Sequence, residues 1–372
     1  MSDISPIEDI IEDACNGLPY ILVDAPDREN EGDVIIPAQF ATPRAINFMA
    51  MHARGLICLA ITGDRASELE LAPMTHRNEA GHGTAFTVSI EAREGVTTGI
   101  SAHDRAHTVA VAIDSSKGAR DIVSPGHVFP LVARKGGVLV RAGHTEAAVD
   151  ISRLAGLTPA GVICEIMNDD GSMARLPELI TFAKQHDLKI GTIADLIAYR
   201  RRSESLVERA AEAPFNSWHG DFRIFVYRNT IDGGEHVALV KDAPQDGIPT
   251  LVRVHQLDLT ADVLGWRAAY RDYVPTALRE LASYEGPAVA VFVSDPSPTS
   301  ISERVKGNRK AYSDTHGYRD YGIGAQILLD QGVRDMILLT SSTTKLTALE
   351  GFGLRVVSRR PLAEPGVRLA SG

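Results

Sequence analysis

Short apolar runs separated by polar loops predict alternating strands and helices in the first half of the chain. Strands are predicted over about residues 20–23, 34–36, 56–61, 84–92 and 161–166. Helices are predicted over about residues 6–16, 42–54, 175–187 and 194–210. In the second of these helices Thr42 is the expected N-cap, Pro43 the first helical residue and Gly55 the stop. The pattern predicts a mixed α/β domain.

The second half begins after a charged segment rich in alanine and proline, at about residues 200–214, which predicts a domain boundary. The predicted domains are residues 1–205 and 214–372. Two strand-like stretches, 222–229 and 236–241, are separated by an Asp-Gly-Gly turn and predict a hairpin. Helices and strands alternate from there nearly to the end, so the second domain is also predicted to be α/β.

Length and composition limit the classes of protein that fit. A chain of 372 residues exceeds what one hydrophobic core usually serves, which supports two domains. Hydrophobic residues make up 44% and charged residues 23%, as in ordinary soluble globular proteins. The net charge of −10 gives no support for nucleic-acid or membrane binding. Three scattered cysteines and the lack of an apolar leader lead us to expect a cytoplasmic protein.

A polar loop between two apolar strands, V-D-A-P-D-R-E-N-E-G-D at residues 23–33, concentrates negative charge. If its middle is extended, side chains alternate and four carboxylates share one face, those of Asp27, Glu29, Glu31 and Asp33. Such a row needs bulk solvent, basic partners or a bound cation, because like charges repel by roughly 1 kcal/mol per pair even in water. The apolar flanks argue against bulk solvent. A cation site and an acidic surface turn both stay open as interpretations.

A second polar stretch, G-G-V-L-V-R-A-G-H-T-E-A-A at residues 136–148, follows with complementary chemistry. Gly143 lets the backbone come close to a ligand. Arg141, Thr145 and the amides of a helix that starts near Thr145 suit a phosphate group. The imidazole of His144 suits a Mg²⁺ or Mn²⁺ shell that also contains carboxylates. The two stretches together predict a site for an anionic, hydroxylated substrate.

Three other side chains are candidates because of their surroundings. Glu165 lies inside a strongly apolar strand, where it is either a general acid/base with a raised pKa or half of a structural ion pair. His127 lies between two prolines in P-G-H-V-F-P, where a lone histidine is usually structural. Cys58 lies in the middle of an apolar strand, as small buried hydrophobic residues do.

Taken in order, five motifs resemble 3,4-dihydroxy-2-butanone 4-phosphate synthase of riboflavin biosynthesis over about residues 5–202. They are D-R-E-N-E-G-D, E-A-R-E-G-V-T-T-G-I-S-A-H-D-R, P-G-H-V-F-P-L, G-G-V-L-V-R-A-G-H-T-E-A and G-V-I-C-E-I-M-N-D-D-G-S-M-A-R. The resemblance implies a mixed-sheet α/β (α+β) fold that converts D-ribulose 5-phosphate into L-3,4-dihydroxy-2-butanone 4-phosphate and formate. It also implies Mg²⁺ or Mn²⁺, with two ions per site, and a homodimer with its sites near the subunit interface.

The same resemblance assigns roles to individual residues. Glu29 and His144 are the expected metal ligands, and His127 and Glu165 are the expected acid/base pair. The expected substrate-binding residues are Arg28, Glu29, Asp33, Cys58, Arg141, Ala142, Gly143, His144, Thr145 and Glu165.

Residues from about 215 to 363 resemble GTP cyclohydrolase II through R-D-Y-G-I-G-A-Q-I-L, L-L-T-S-S-T-T-K and A-L-E-G-F-G-L. That family holds zinc with three cysteines, and the matching positions here are Asp258, Ala269 and Arg271. These residues cannot form a thiolate zinc site, so no zinc is expected and the domain is expected to be degenerate. The residues that do match functional positions of that family are Tyr312, Arg319 and Lys345.

The expected protein is therefore a 3,4-dihydroxy-2-butanone 4-phosphate synthase whose second domain is catalytically inactive. Its expected partner is the phosphorylated ketose, with no nucleic acid and no membrane. Two alternatives stay open. One is a bifunctional enzyme that also hydrolyses GTP, and the other is a non-catalytic sensor of a phospho-sugar or nucleotide.

Overall fold

The computed structural model describes residues 4–75, 77–79, 83–266, 272–294, 300–306, 315–340 and 353–362. The chain divides into two compact units, which we call unit 1 (residues 1–200) and unit 2 (residues 201–372). None of the described helices is both long and apolar enough to cross a membrane.

Unit 1 is built on a seven-stranded mixed sheet. Its strands are β1 (Tyr20–Val23), β2 (Gly32–Pro37), β3 (Cys58–Ile61), β4 (Ile90–Ala92), β5 (Ile122–Val132), β6 (Gly161–Glu165) and β7 (Ile190–Thr192). They lie in the order β4-β5-β3-β6-β2-β1-β7. The pairs β1/β7 and β3/β5 are parallel, and the other neighbouring strands are antiparallel.

Helices cover both faces of this sheet. They are α1 (Ile7–Cys15), α2 (Pro43–Phe48), α3 (Gly63–Glu68), α4 (Ala102–Ile113), α5 (His144–Leu154), α6 (Leu176–His186) and α7 (Ile193–Ser203). Alternate residues of the buried strands feed two separate cores. Leu22 and Ile35 pack with α1, α5 and α7, whereas Ile21 and Val34 pack with α2, α3, α4 and α6. The continuous apolar runs of the sequence thus mark strands that are buried on both faces.

The boundaries of unit 1 differ from the prediction at three places. The predicted strand over 84–92 is regular only at β4, and its first part forms isolated bridges, such as Phe86 with Leu131. The helix that begins at α2 continues into a π-helical turn, Met49–Ala53, and ends at Arg54 in the left-handed region (φ 71°), one residue before the predicted stop. The helix predicted over 194–210 is wrong beyond Ser203, where α7 ends.

Unit 2 holds a second seven-stranded mixed sheet. Its strands are β8 (Val207–Ser217), β9 (Gly220–Asn229), β10 (Glu235–Lys241), β11 (Thr250–Gln256), β12 (Ala288–Val293), β13 (Asp335–Leu339) and β14 (Arg355–Arg360). The order is β14-β13-β11-β12-β10-β9-β8. Its described helices are α8 (Tyr273–Ser283), α9 (Ser300–Val305) and α10 (Thr315–Asp330). Ala277 and Leu281 of α8 pack in one core, and Ala325 and Leu328 of α10 pack in another.

The predicted hairpin of the second half is confirmed as β9 and β10, which pair antiparallel. The predicted boundary segment is instead largely strand, because β8 occupies residues 207–217 and pairs along its length with β9. At the turn between β8 and β9 Trp218 is fully exposed. The predicted class, a mixed-sheet α/β domain followed by a second α/β domain, is confirmed.

Candidate active site

The acidic loop is a compact turn rather than an extended row of carboxylates. Asp24, buried at the end of β1, accepts hydrogen bonds from the amides of Glu29 (3.1 Å) and Glu31 (2.8 Å) and from Nη1 of Arg28 (2.8 Å). Asn30 takes a left-handed conformation, with φ 57°. The prediction that four carboxylates share one face is therefore wrong, since Asp27 points into solvent. Local capping by Asp24 replaces the assumed alternation.

Asp24 stays charged despite its burial. Burial alone would raise the pKa of this carboxyl, but the hydrogen bonds from the Glu31 amide and the Arg28 guanidinium hold it below its usual value. Arg28 also lies 2.9 Å from Glu29. The hydrogen bonds to Asp24 and the ion pair with Arg28 thus fix the position of Glu29 in the turn.

Asp33 and Glu165 occupy neighbouring strands directly opposite each other. Asp33 lies on β2 and pairs with Leu22 on one side and with Glu165 of β6 on the other. Burial and the Glu165 charge raise the pKa of Asp33 well above its usual value, and burial also raises the pKa of Glu165. Two carboxyls in this arrangement do not both ionise readily, so the pair tends to hold a proton at neutral pH. The raised pKa of Glu165 agrees with its position in an apolar strand of the sequence.

The carboxyl of Glu165 is oriented by the backbone of the segment before β3. Its Oε2 accepts a hydrogen bond from the Leu56 amide at 2.8 Å. A Cβ on Gly55 would lie 2.5 Å from the same oxygen, so only glycine fits at this close approach. Within the described part of the chain, Glu165 therefore has a backbone partner and not the structural ion pair considered from the sequence.

His144 is the first residue of α5 and is buried against the end of β1. Its Nε2 lies 3.2 Å from the carbonyl oxygen of Leu22, and its Nδ1 lies 3.7 Å from Oδ1 of Asp33. Burial lowers the pKa of His144, so the ring is neutral at neutral pH. If Nε2 donates its proton to the carbonyl, the lone pair of Nδ1 faces the carboxylates, which is the tautomer that a metal ligand needs.

The donor atoms of this region suit a hard divalent cation. Ligand atoms of Asp24, Glu29 and His144 all lie within 4.8 Å of one another. Among the residues that the structure describes, Oδ1 of Asp33 is buried and has no hydrogen-bond partner, so a cation would satisfy this acceptor. Carboxylate oxygens with one neutral imidazole fit Mg²⁺ or Mn²⁺. The sequence identified Glu29 and His144 but missed Asp24, although an aspartate directly after a buried strand was a usable signal.

Two guanidinium groups converge at the start of α5. A Cβ on Gly143, the N-cap of the helix, would lie 3.0 Å from Nη2 of Arg28 and closer still to Nη1 of Arg141. Arg141 is held by Glu146 (2.6 Å) and by the hydroxyl of Thr84 (3.0 Å). With Ala142 and the buried Thr145 beside them, these groups form a basic cradle at a helix N-terminus, where anions are stabilised.

Cys58 and His127 have different surroundings in the structure. Cys58 is buried, and burial followed by the charges of Glu165 and Asp33 raises its pKa, which keeps it a thiol beside the carboxyls. His127 is 44% exposed and lies 3.0 Å from Glu91. Phe129 pairs with Cys58, which pairs with Ile163, so by register the backbones of His127 and Glu165 lie about 10 Å apart on either side of the segment that leads into β3. This spacing leaves room for a substrate between the two side chains.

The region of unit 2 where the sequence led us to seek zinc ligands contains a local hydrogen-bond network. Oδ1 of Asp258 accepts from the amides of Thr260 and Ala261 and caps a short π-helical turn. Nε2 of His255 lies 2.8 Å from Asp262. Arg319 lies on α10. The other positions singled out from the sequence, Ala269, Arg271, Tyr312 and Lys345, lie outside the described residues.

Comparison with known proteins identifies both units. Residues 8–199 match the family described as 3,4-dihydroxy-2-butanone 4-phosphate synthase, and residues 208–361 match GTP cyclohydrolase II. The riboflavin biosynthesis protein RibBA of Aquifex aeolicus (strain VF5) is 51% identical, over 96% of this chain and 92% of that protein.

Two solved structures are similar as well. RibBX from A. baumannii, a two-domain 3,4-dihydroxy-2-butanone 4-phosphate synthase, superposes with a TM-score of 0.79 at 42% identity, covering 97% of this chain and 100% of that one. A 3,4-dihydroxy-2-butanone 4-phosphate synthase in complex with two magnesium ions superposes with a TM-score of 0.52 at 40% identity, covering 54% of this chain and 98% of that one. The chain therefore belongs to the 3,4-dihydroxy-2-butanone 4-phosphate synthase family of lyases in riboflavin biosynthesis, and carries a GTP cyclohydrolase II domain behind the synthase domain.

Proposed function

We propose that unit 1 converts D-ribulose 5-phosphate into L-3,4-dihydroxy-2-butanone 4-phosphate and formate. The observation that carries the proposal is the convergence of the acidic turn with the start of α5, where Nδ1 of His144 lies 3.7 Å from the orphaned oxygen of Asp33. Metal-ligand chemistry and an anion cradle adjoin at this point. A phosphorylated, hydroxylated substrate requires both.

The residues divide the reaction between them. Arg141 and Thr145, with the amides of α5, bind the phosphate end of the ketose, and Arg28 and Asp33 contact its sugar part. Glu29 and His144 would hold Mg²⁺ or Mn²⁺, two ions per site, with Asp24 fixing the turn that presents Glu29. When bound, the metal would supply a Lewis acid for adjacent oxygens of the substrate.

Proton transfers fall to the buried carboxyl pair. Enolisation, loss of a hydroxyl, the skeletal shift and deformylation each need a group that takes or gives a proton near neutral pH. Asp33 and Glu165 share raised pKa values, so one member donates while the other accepts. The thiol of Cys58 lies beside them and excludes water from one side. His127 is the proposed third proton-transfer group, although it lies apart from Glu165 in one chain.

Formate release from D-ribulose 5-phosphate with Mg²⁺ tests the synthase proposal. The wild-type protein is expected to release formate, and His144→Ala is expected to lose at least about 10²-fold in rate because a metal ligand is gone. A folded wild-type protein that binds ribulose 5-phosphate without releasing formate would instead favour a phospho-sugar sensor.

We further propose that unit 2 does not hydrolyse GTP and holds no zinc. The absence of any cysteine after Cys164 supports this, as does the use of Asp258 as a helical cap. In the part of unit 2 that the structure describes, no three His, Cys, Asp or Glu side chains come within metal-binding distance of one another.

The alternative is a bifunctional enzyme, which the family match of residues 208–361 favours. Zinc analysis of the purified protein and a GTP turnover assay decide between the two. We expect substoichiometric zinc and no formate from GTP. One zinc per chain with GTP turnover would establish the bifunctional enzyme.

A further inference from the structure

Arg175 contacts the acidic turn from outside, although it belongs to a distant part of the chain. It precedes α6 and donates from Nη1 to the carbonyl oxygen of Glu29 at 2.8 Å and to that of Asn30. The same nitrogen lies 4.0 Å from Oε1 of Glu31. One guanidinium nitrogen therefore holds two consecutive carbonyls at the tip of the turn.

The turn needs such a contact because its conformation is unfavourable on its own. Asn30 is left-handed, which is unfavourable for a residue with a side chain, and the turn brings the like charges of Glu29 and Glu31 close together. Arg28 is already occupied, since it pairs with Asp24 and Glu29. Asp24 accepts hydrogen bonds from the amides of Glu29 and Glu31, and Arg175 donates hydrogen bonds to the carbonyls of Glu29 and Asn30.

Arg175 is itself fixed to the framework that carries the rest of the site. Its own amide donates to Oε2 of Glu178 in the first turn of α6. The preceding residue, Ala174, donates its amide to the carbonyl of Ile166, whose amide donates in turn to Gly32 at the base of the turn. A Cβ on Gly32 would lie 2.5 Å from the Leu179 side chain, so α6 packs tightly on that base. The position of Glu29 is thus tied to the strand that carries Glu165.

We propose that Arg175 is a positioning residue, which clamps the acidic turn so that the Glu29 carboxylate faces His144 before the divalent cation binds. This inference rests on the proposed metal site of unit 1 and names a residue outside the expected site. Without the clamp the turn samples other conformations, and the cation must pay the ordering cost on binding. Metal affinity therefore falls while the chemistry of the assembled site is retained.

The test measures Mn²⁺ binding to the full-length protein in the absence of substrate. Electron paramagnetic resonance gives the concentration of free Mn²⁺. Arg175→Gln is expected to weaken binding by about 10-fold, and Arg175→Lys to recover most of the loss because an ammonium group can donate to both carbonyls. Arg65→Gln is the matched control. Arg65 also donates to backbone carbonyls, those of Ala112, Asp114 and Lys117, far along the sequence from the turn.

The turnover assay gives a second readout. With Arg175→Gln, the Mg²⁺ concentration for half-maximal rate is expected to rise about 10-fold, while the rate at saturating Mg²⁺ falls less than about threefold. Arg65→Gln is expected to lower the melting temperature without changing either metal measurement. Equal Mn²⁺ affinity in wild type and Arg175→Gln would overturn the clamp. If Glu29→Gln also leaves Mn²⁺ binding unchanged, the failure belongs to the proposed metal site instead.

Discussion

The buried position of Asp33 in the sheet makes the free energy of folding less favourable at neutral pH. It is 2% exposed, opposite Glu165, and its pKa is raised well above the usual value. A carboxyl with a raised folded-state pKa binds its proton more tightly in the folded chain than in the unfolded one. Folding stability from this group is therefore full below the unfolded pKa of about 3.9 and is lost as the pH rises through the folded pKa. The site retains an acid that destabilises the metal-free protein at neutral pH.

Asp33→Asn is accordingly expected to abolish activity and to stabilise the protein. In EDTA at pH 8 the free energy of unfolding should rise by about 1–3 kcal/mol, and the gain should shrink as the pH is lowered toward 4. Urea unfolding of both proteins across that pH range measures it. A variant that is less stable than wild type at pH 8, or equally stabilised at pH 4, would show that the burial cost is not the source.

The acidic turn and α5 show how far sequence patterns extend and where they stop. Residues 23–33 and 136–148 were predicted to meet, and they do, because apolar strands and a helix start fix their ends. The conformation of the turn was not predictable, since it depends on Arg175, 146 residues away from Glu29. The end of α7 was missed for a similar reason. Nothing in R-R-R-S-E-S stops a helix, and β8 forms because β9 is available to pair with it.

The inner cap of the turn can be tested against a neighbour in the same turn. Asp24→Ala removes the acceptor of two amides and one guanidinium and is expected to lower the free energy of unfolding by about 1–3 kcal/mol. Mn²⁺ affinity should fall with it, because Glu29 loses its support. Asp27→Ala is the control, since Asp27 is exposed, and it should change stability by less than about 0.5 kcal/mol. Equal effects of the two substitutions would argue against the cap.

The exposure of His127 bears on the assembly of the molecule. By strand register the backbones of His127 and Glu165 lie about 10 Å apart, two strand spacings, which leaves room for a substrate between the two side chains. The half-exposed ring is available to a second chain. We propose a homodimer in which the exposed His127 of one subunit completes the site that contains His144 of the other.

Mixing two inactive variants tests this arrangement. His127→Asn and His144→Ala, unfolded together and refolded in equal amounts, are expected to recover about a quarter of wild-type activity, because half the dimers are mixed and each has one intact site. Each variant refolded alone is the control and should stay inactive. No recovery from a preparation that refolds to dimers would place both histidines of a working site in the same chain.

The fully exposed indole at the β8–β9 turn has a practical consequence. The chain contains two tryptophans, Trp218 and Trp266, and both belong to unit 2. Tryptophan fluorescence, excited at the red edge of the protein's absorption band, therefore reports on unit 2 alone, because unit 1 contains no tryptophan. Any spectral change on addition of Mg²⁺ and ribulose 5-phosphate would be a label-free signal that ligand binding to unit 1 alters the surroundings of a tryptophan in unit 2.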